Sequence, residues 1–232
     1  MSIYEEELER LKGRTRGGGA TGNFSWLEVV KPAAIGQEAD TRIRIVPRQV
    51  WDNGQPTGRM HPKFWVTVDQ HVLTIEGQAK VFTCSDDHHR ADRYTNITCP
   101  ICKLQDELFK SKNKQWEEIK RETRAKSRVF CNVIDLANPA AHWSPDEKNP
   151  GQYVIRPKVY GYSTTLHRKL LNICMLKSPI EDVETGRDIV IRCRREGPQK
   201  RDVRYEAIDL DAKPLQPELV PVAQYAWDLL GL

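Results

Sequence analysis

Three cysteines within nineteen residues constrain this chain more than any other feature of its sequence: Cys84, Cys99 and Cys102. The last two form a C-x-x-C pair, a spacing that lets two thiolates reach one metal ion at about 2.3 Å. Thiolates are soft ligands, so they favour zinc over calcium or magnesium. The sequence therefore predicts one bound zinc ion.

The fourth ligand of a tetrahedral site must come from elsewhere in the chain. His71, His88 and His89 are the candidates, and His61 lies further away. The sequence contains neither an H-E-x-x-H nor an H-x-E signature, which a catalytic zinc site with an adjacent general base often carries. We therefore expect the zinc to be structural and the protein not to be an enzyme.

Two other interpretations of the cysteines compete with a metal site. A CPIC segment that opens a helix resembles the redox dithiol of glutaredoxin-like proteins. That interpretation leaves Cys84 without a role, and a charged segment rather than a buried strand precedes the pair. Unligated core thiols are the second alternative, but the polar surroundings argue against it. The remaining cysteines, Cys131, Cys174 and Cys193, have apolar neighbours and are predicted to be buried free thiols.

Composition and charge restrict the class of protein. The 232 residues carry a net charge of +4, which permits nucleic-acid binding without requiring it. No apolar run reaches the roughly 18 residues of a membrane span, and the first ten residues, MSIYEEELER, lack a signal-peptide core. We expect a cytoplasmic protein without a membrane partner.

Hydrophobic periodicity predicts a mainly β (α+β) fold. Alternating or β-branched segments predict strands at 41–46, 63–75, 128–136, 153–160, 188–194 and 203–210. Helices are expected at 100–124 and 163–176, and a short apolar helix is expected to end at residue 230. The segment GRTRGGGATGN is glycine-rich, basic and without core-forming residues, so residues 1–22 are expected to be a flexible arm, and residues 213–232 form a tail. Short strands with few helices favour a small β-barrel.

Several motifs, taken in order, resemble one family. The order His, twelve residues, Cys, then a later C-x-x-C occurs from His71 to Cys102, and it is followed by KRETRAKSRVFCNVIDLANP, VYGYSTTLHRKL and DVETGRDIVIRCR. This arrangement resembles the single-stranded-DNA-binding (helix-destabilising) proteins of T-even-like bacteriophages. The interval from Cys84 to Cys99 is longer than in that family.

The resemblance implies a fold and a ligand set. It implies a five-stranded OB-fold barrel over residues 23–212, with a zinc-binding helical subdomain inserted at about 71–126. It also favours His71 as the fourth ligand, so that His71, Cys84, Cys99 and Cys102 would hold the zinc.

The resemblance also implies a function. Such a protein binds single-stranded DNA without sequence preference, and it coats and protects the strand in phage replication, recombination and repair. Its partners would be single-stranded DNA, further copies of itself along the strand, and replication or recombination proteins. Its location would be the host cell cytoplasm if a phage encodes it.

Binding a single strand in this way needs cations for the phosphates and aromatic rings on which bases stack. The sequence interleaves such residues along its predicted strands. The predicted DNA contacts are Arg42, Arg44, Arg48, Lys63, Trp65, Arg128, Phe130, Lys158 and Tyr160.

Two other functions use the same residues differently. One is a zinc-dependent nucleic-acid enzyme such as a nuclease, although no carboxylate pair accompanies the cysteines. The other is a zinc-containing protein-interaction module, in which the basic residues would be incidental.

Overall fold

A computed structural model describes most of the chain. The residues it describes are 25–52, 55–76, 78–85, 98–110, 119, 123–146, 149–177, 180–199, 202–227 and 229. The predicted arm at 1–22 and the alternative ligands His88 and His89 lie outside these residues.

Strands dominate the described part of the chain, with two α-helices and two 3-10 helices among them. The elements in order are β1 (Glu38–Val46), β2 (Gln49–Asp52), β3 (Gln55–Met60), β4 (Trp65–Ile75), β5 (Gln78–Thr83), α1 (Pro100–Lys110), β6 (Lys126–Asp135), a 3-10 helix (Pro139–His142), β7 (Trp143–Pro145), β8 (Tyr153–Ile155), β9 (Lys158–Ser163), α2 (Thr164–Lys177), β10 (Arg187–Arg195), β11 (Val203–Ala212) and a 3-10 helix (Pro217–Tyr225). The prediction of a mainly β fold with few helices is confirmed. None of the helices described here combines the length and apolar character needed to cross a membrane.

The chain divides into two compact units. Residues 67–128 belong to the first, which we call the cysteine unit, and residues 25–66 and 129–229 belong to the second, the sheet unit. Strands β4 and β6 each contain residues of both units, so the cysteine unit is an insertion that begins and ends within strands.

The sheet unit is built on antiparallel pairing. Its strands follow the order β11-β10-β1-β6, and β9 also pairs with β6. Strand β10 directs one face toward the core, because Ile189, Ile191 and Cys193 are all fully buried while Val190 and Arg192 between them are only partly buried. The facing residues Ile43 and Ile45 of β1 belong to the same core cluster.

Helix α2 closes this core on one side. Its start is fixed by Ser163, whose hydroxyl accepts a hydrogen bond from the Leu166 backbone N–H at 3.3 Å, as an N-cap residue does. Leu166 and Leu170, one turn apart, are buried in the core cluster. The helix predicted at 163–176 is therefore confirmed.

The cysteine unit has a very different interior. It contains the β4–β5 hairpin and helix α1. Among its described residues, the buried ones are His71, Cys99, Cys102 and Thr123. No buried aliphatic or aromatic side chain is found in this part of the described chain, so the unit lacks a hydrophobic core there.

Two predicted elements differ in the structure. The single strand expected at 153–160 is two strands, β8 and β9, because the chain breaks at Arg156 and Pro157, and proline has no N–H to donate to a ladder. Where a short apolar helix is expected to end at residue 230, the described residues form a 3-10 helix at Pro217–Tyr225 that contains Pro221, and residue 230 itself lies outside them.

Candidate metal centre and aromatic face

The β4–β5 hairpin brings together the first two residues of the candidate metal centre. His71 pairs directly with Phe82, and the Cys84 N–H donates to the Asp69 carbonyl oxygen at 2.7 Å just beyond the last ladder pair. This register places His71 and Cys84 as diagonal neighbours on one face of the hairpin.

The start of helix α1 supplies the other two. Cys99 immediately precedes Pro100, the first helical residue, and its carbonyl oxygen accepts a hydrogen bond from the Lys103 N–H at 2.9 Å. Proline is well suited to this position because its missing N–H would have no intrahelical partner there. Cys102 lies in the same first turn, so both side chains project from the positive end of the helix dipole, which favours thiolates.

The four ligand atoms converge. They all lie within 4.8 Å of one another. The Sγ atoms of Cys84 and Cys102 are 3.5 Å apart, and His71 Nε2 is 3.4 Å from the Sγ atoms of both Cys99 and Cys102. A tetrahedral zinc with bonds of about 2.3 Å to sulfur and about 2.0 Å to nitrogen separates its ligand atoms by about 3.5–3.8 Å. The side chains therefore fit one four-coordinate ion with little adjustment.

A backbone carbonyl group fixes the orientation of the His71 ring. Its Nδ1 lies 2.6 Å from the carbonyl oxygen of Thr123, and a carbonyl only accepts, so Nδ1 carries the hydrogen. The lone pair of Nε2 is then directed at the thiols. A ligand histidine commonly has its second nitrogen held in this way, which sets both its tautomer and its direction.

The Cys102 thiol is protonated unless a cation displaces its proton. Burial, and then the nearby Cys84 and Cys99 side chains, raise the pKa of the Cys102 thiol well above its ordinary value. Cys84 is partly exposed as a residue, whereas Cys99 and Cys102 are buried. One imidazole and three thiols in this arrangement can hold a single soft metal ion.

The sequence matches no protein-family model and no curated protein.

Two of the predicted DNA contacts instead form a buried charge cluster. Arg44 is 1% exposed and pairs in register with Asp188, which is also buried. Arg42 Nη2 and Lys213 Nζ approach the same carboxylate at 2.6 and 2.9 Å. Arg44 is predicted to contact DNA, but its burial removes it from the side chains that a DNA strand can reach. Arg42 stays half-exposed but shares Asp188.

Two more predicted contacts are also buried. Arg48 is 3% exposed and donates to the Trp65 carbonyl oxygen at 3.3 Å. Tyr160 is on the core side of β9, where its ring stacks on Tyr162 with centroids 5.2 Å apart. Burial raises the pKa of the Tyr160 phenol far above its usual value. These residues stabilise the sheet unit and do not offer a surface for DNA.

Four predicted contacts retain solvent exposure. Arg128 is exposed, and Lys63 and Trp65 are partly exposed, with Trp65 lining a cleft of about 330 Å³. Lys158 is nearly covered, and its Nζ lies 3.6 Å from Asp135.

Phe130, the last of the nine predicted contacts, belongs to an aromatic platform on the outer side of the sheet unit. Trp26 is linked to β9 through a bridge with Val159, and its ring meets Phe130 edge-on with centroids 5.9 Å apart. Phe130 in turn covers Gly161, where an added Cβ would lie 2.8 Å from its ring. Phe130 is 5% exposed, but Trp26 is 49% exposed. We call Trp26, Phe130 and Gly161 the Trp26 platform.

A cation and a second indole lie on the same side of β6. The Asn132 side-chain amide and the Trp227 backbone exchange two hydrogen bonds of 3.2 Å, and Asn132 follows Phe130 by two residues, so both share one strand face. The Arg156 guanidinium lies 5.7 Å from the Trp227 ring centroid, and the indole N–H donates to the Pro157 carbonyl oxygen at 2.6 Å.

Sequence reasoning missed Trp26, Thr123 and Trp227. A tryptophan in the partly polar segment Ser25-Trp26-Leu27-Glu28 was the available signal for Trp26. Thr123 acts through its backbone carbonyl, a group that every residue has, so its residue type gives no signal of this role.

Proposed function

We propose that this protein binds single-stranded DNA without sequence preference, and that it carries one structural zinc ion. The proposal of DNA binding rests on the Trp26 platform. A half-exposed indole is held rigidly on a buried phenyl ring, and that ring rests on a glycine that leaves room for it. An exposed, immobilised ring of this kind is what an unpaired base needs as a stacking surface.

Charge near the platform supports the same proposal. The Arg156 guanidinium lies against Trp227, on the strand face that also carries Phe130. When cations and rings are interleaved, the cations neutralise the phosphates and the rings stack on the bases. Stacking uses the π-face that every base has, so this chemistry carries no sequence preference.

The four protein ligands support a structural zinc. Together they would complete a tetrahedral shell and leave no position for a water molecule or substrate. The lack of other buried residues in the described cysteine unit gives the ion a clear role, because it would replace a hydrophobic core there. We therefore favour a binding protein over a zinc-dependent nuclease.

The finer architecture and the biological role belong to the proposal as well. We infer a five-stranded OB-fold barrel for the sheet unit, with the cysteine unit as its inserted zinc subdomain. Coating of exposed strands in replication, recombination and repair follows from sequence-independent binding.

Fluorescence anisotropy of labelled oligo(dT), with the zinc-loaded full chain, tests the proposal. We expect binding that weakens with salt by a slope of about −0.7 per phosphate neutralised. Trp26→Ala should lose about 1–3 kcal/mol of binding free energy. Phe109→Ala is the matched control, because it removes a ring that is 75% exposed but lies in the cysteine unit.

The outcomes separate the candidate functions. No binding of the wild-type chain to oligo(dT) refutes the proposal. Equal affinities of the Trp26→Ala and wild-type chains refute the platform as the stacking surface. Cleavage of the oligonucleotide on addition of magnesium favours a nuclease instead.

A further inference from the structure

Two further exposed rings lie on one face of the small β7–β8 sheet. Trp143 pairs with Ile155, and Pro145 pairs with Tyr153, so the two aromatic residues are diagonal neighbours on the same face. Trp143 is 44% exposed and Tyr153 is 66% exposed. We call this pair of rings the β7–β8 face. Two large exposed rings on adjacent strands form an apolar patch that isolated surface residues do not make.

The β7–β8 face is held rigidly by a buried histidine. The His142 Nε2 accepts the Asp135 N–H at 2.8 Å, and its Nδ1 donates to the Arg156 carbonyl oxygen at 2.9 Å. The Arg156 N–H donates to the His142 carbonyl oxygen at 2.8 Å, and the Asp146 N–H donates to the Gln152 carbonyl oxygen at 2.9 Å. Both strands are thus fixed to the sheet unit, so little entropy is lost when a planar ligand stacks on the exposed rings.

The chain itself connects this face to the Trp26 platform. Tyr153 begins β8, Arg156 follows the end of that strand beside Trp227, and Val159 bridges to Trp26. Val159 lies six positions after Tyr153, a span of about 20 Å at most in extended chain. Both sets of rings and the intervening guanidinium therefore belong to one stretch of the sheet unit.

We propose that the β7–β8 face is a second base-stacking site, used only by strands long enough to extend past the Trp26 platform. The inference rests on the proposed function, since it assigns the second ligand as bases of the same DNA strand. Rings at both ends with a cation between them match the alternation of bases and phosphates in a single strand.

The test compares strand lengths. Anisotropy is measured with oligo(dT) of about four and about twelve nucleotides, lengths within the range that one OB-fold occupies. For the Trp143→Ala/Tyr153→Ala double variant we expect about tenfold weaker binding of the longer strand and unchanged binding of the shorter one. Phe109→Ala is again the matched control, and the melting temperature of each variant checks its folding.

Two results overturn this inference while leaving the proposed function intact: wild-type affinity of the double variant for the longer strand, or an equal loss on both lengths. If wild-type protein binds neither strand, the proposed function itself fails. Where the double variant does not fold, Tyr153→Ser changes only the more exposed ring. Photo-crosslinking of bromodeoxyuridine-substituted strands to the wild-type chain is the second measurement. We expect a crosslink to residues 143–155, and its absence also overturns the inference.

Discussion

Removal of the metal should unfold the cysteine unit and spare the sheet unit. Among the residues described between 67 and 128, burial is confined to three of the metal-ligand residues and Thr123, which holds His71 in place. A structural zinc contributes about 10–16 kcal/mol of apparent binding free energy in small zinc-dependent peptides. Whole domains are stable by only about 5–15 kcal/mol, so the loss of that contribution should unfold a unit whose described residues include no buried aliphatic or aromatic side chain. The sheet unit has its own buried core and should stay folded without the ion.

Hydrogen exchange before and after chelation measures this directly. The Cys84 and Lys103 amides, which donate to backbone carbonyl oxygens beside the site, should lose protection. The Val159 amide, which donates to the Ser25 carbonyl oxygen at 2.8 Å within the sheet unit, should keep it.

Substitution of one ligand provides the matched comparison. His71→Gln should weaken zinc binding by more than about 100-fold, the upper figure for losing even a second-shell partner. His61→Gln changes the same residue type outside the site and should retain one zinc per chain. Unchanged protection across residues 67–128 after chelation would refute the reasoning, and so would full zinc occupancy in His71→Gln.

Three further predictions concern the sheet unit. Asp188→Asn leaves a buried guanidinium uncompensated and should cost about 3–5 kcal/mol in urea unfolding, whereas Asp40→Asn, at an exposed strand pair, should change stability little. Burial lowers the pKa of His142, so the unfolded chain binds the proton more readily than the folded chain does. The free energy of unfolding should therefore fall as the pH drops below about 6.5, by up to about 1.4 kcal/mol per pH unit. In urea melts at several pH values, His142→Gln should flatten this slope. Gly161→Ala should displace the Phe130 ring and lower stability by about 1–3 kcal/mol, which a thermal melt followed by tryptophan fluorescence would detect; an unchanged melt contradicts the close packing.

The sheet unit was predictable where one strand carries its own pattern. The β-branched run and the arginines that alternate with Ile191 and Cys193 predict a strand at 188–194, and the structure confirms it with Ile189, Ile191 and Cys193 buried. Patterning cannot tell which polar residue has a buried partner. Within its own strand, the pattern indicates that Arg44 is exposed to solvent. Only its pairing with Asp188, 144 positions later, accounts for its burial.

The candidate metal centre was more accessible to sequence reasoning than the aromatic face. Thiolate chemistry and spacing single out Cys84, Cys99 and Cys102 without knowledge of the fold, and the structure brings His71 to them. Of the three cysteines expected as buried free thiols, Cys131 and Cys193 are buried, whereas Cys174 at the helix surface is partly exposed. The Trp26 platform depends on a bridge between residues 26 and 159, and no local pattern predicts such a contact.

The ligand positions also determine where this chain tolerates extra length. Fourteen residues separate Cys84 from Cys99, and a metal held by both closes that segment into a loop. Loop-closure entropy grows only logarithmically, so doubling this segment costs about 0.6 kcal/mol. That cost is small beside the roughly 10 kcal/mol that a structural zinc contributes. The interval between these two cysteines is therefore the natural insertion point of the unit, where a peptide tag or a fluorophore-bearing loop can be added while the four ligands keep their geometry.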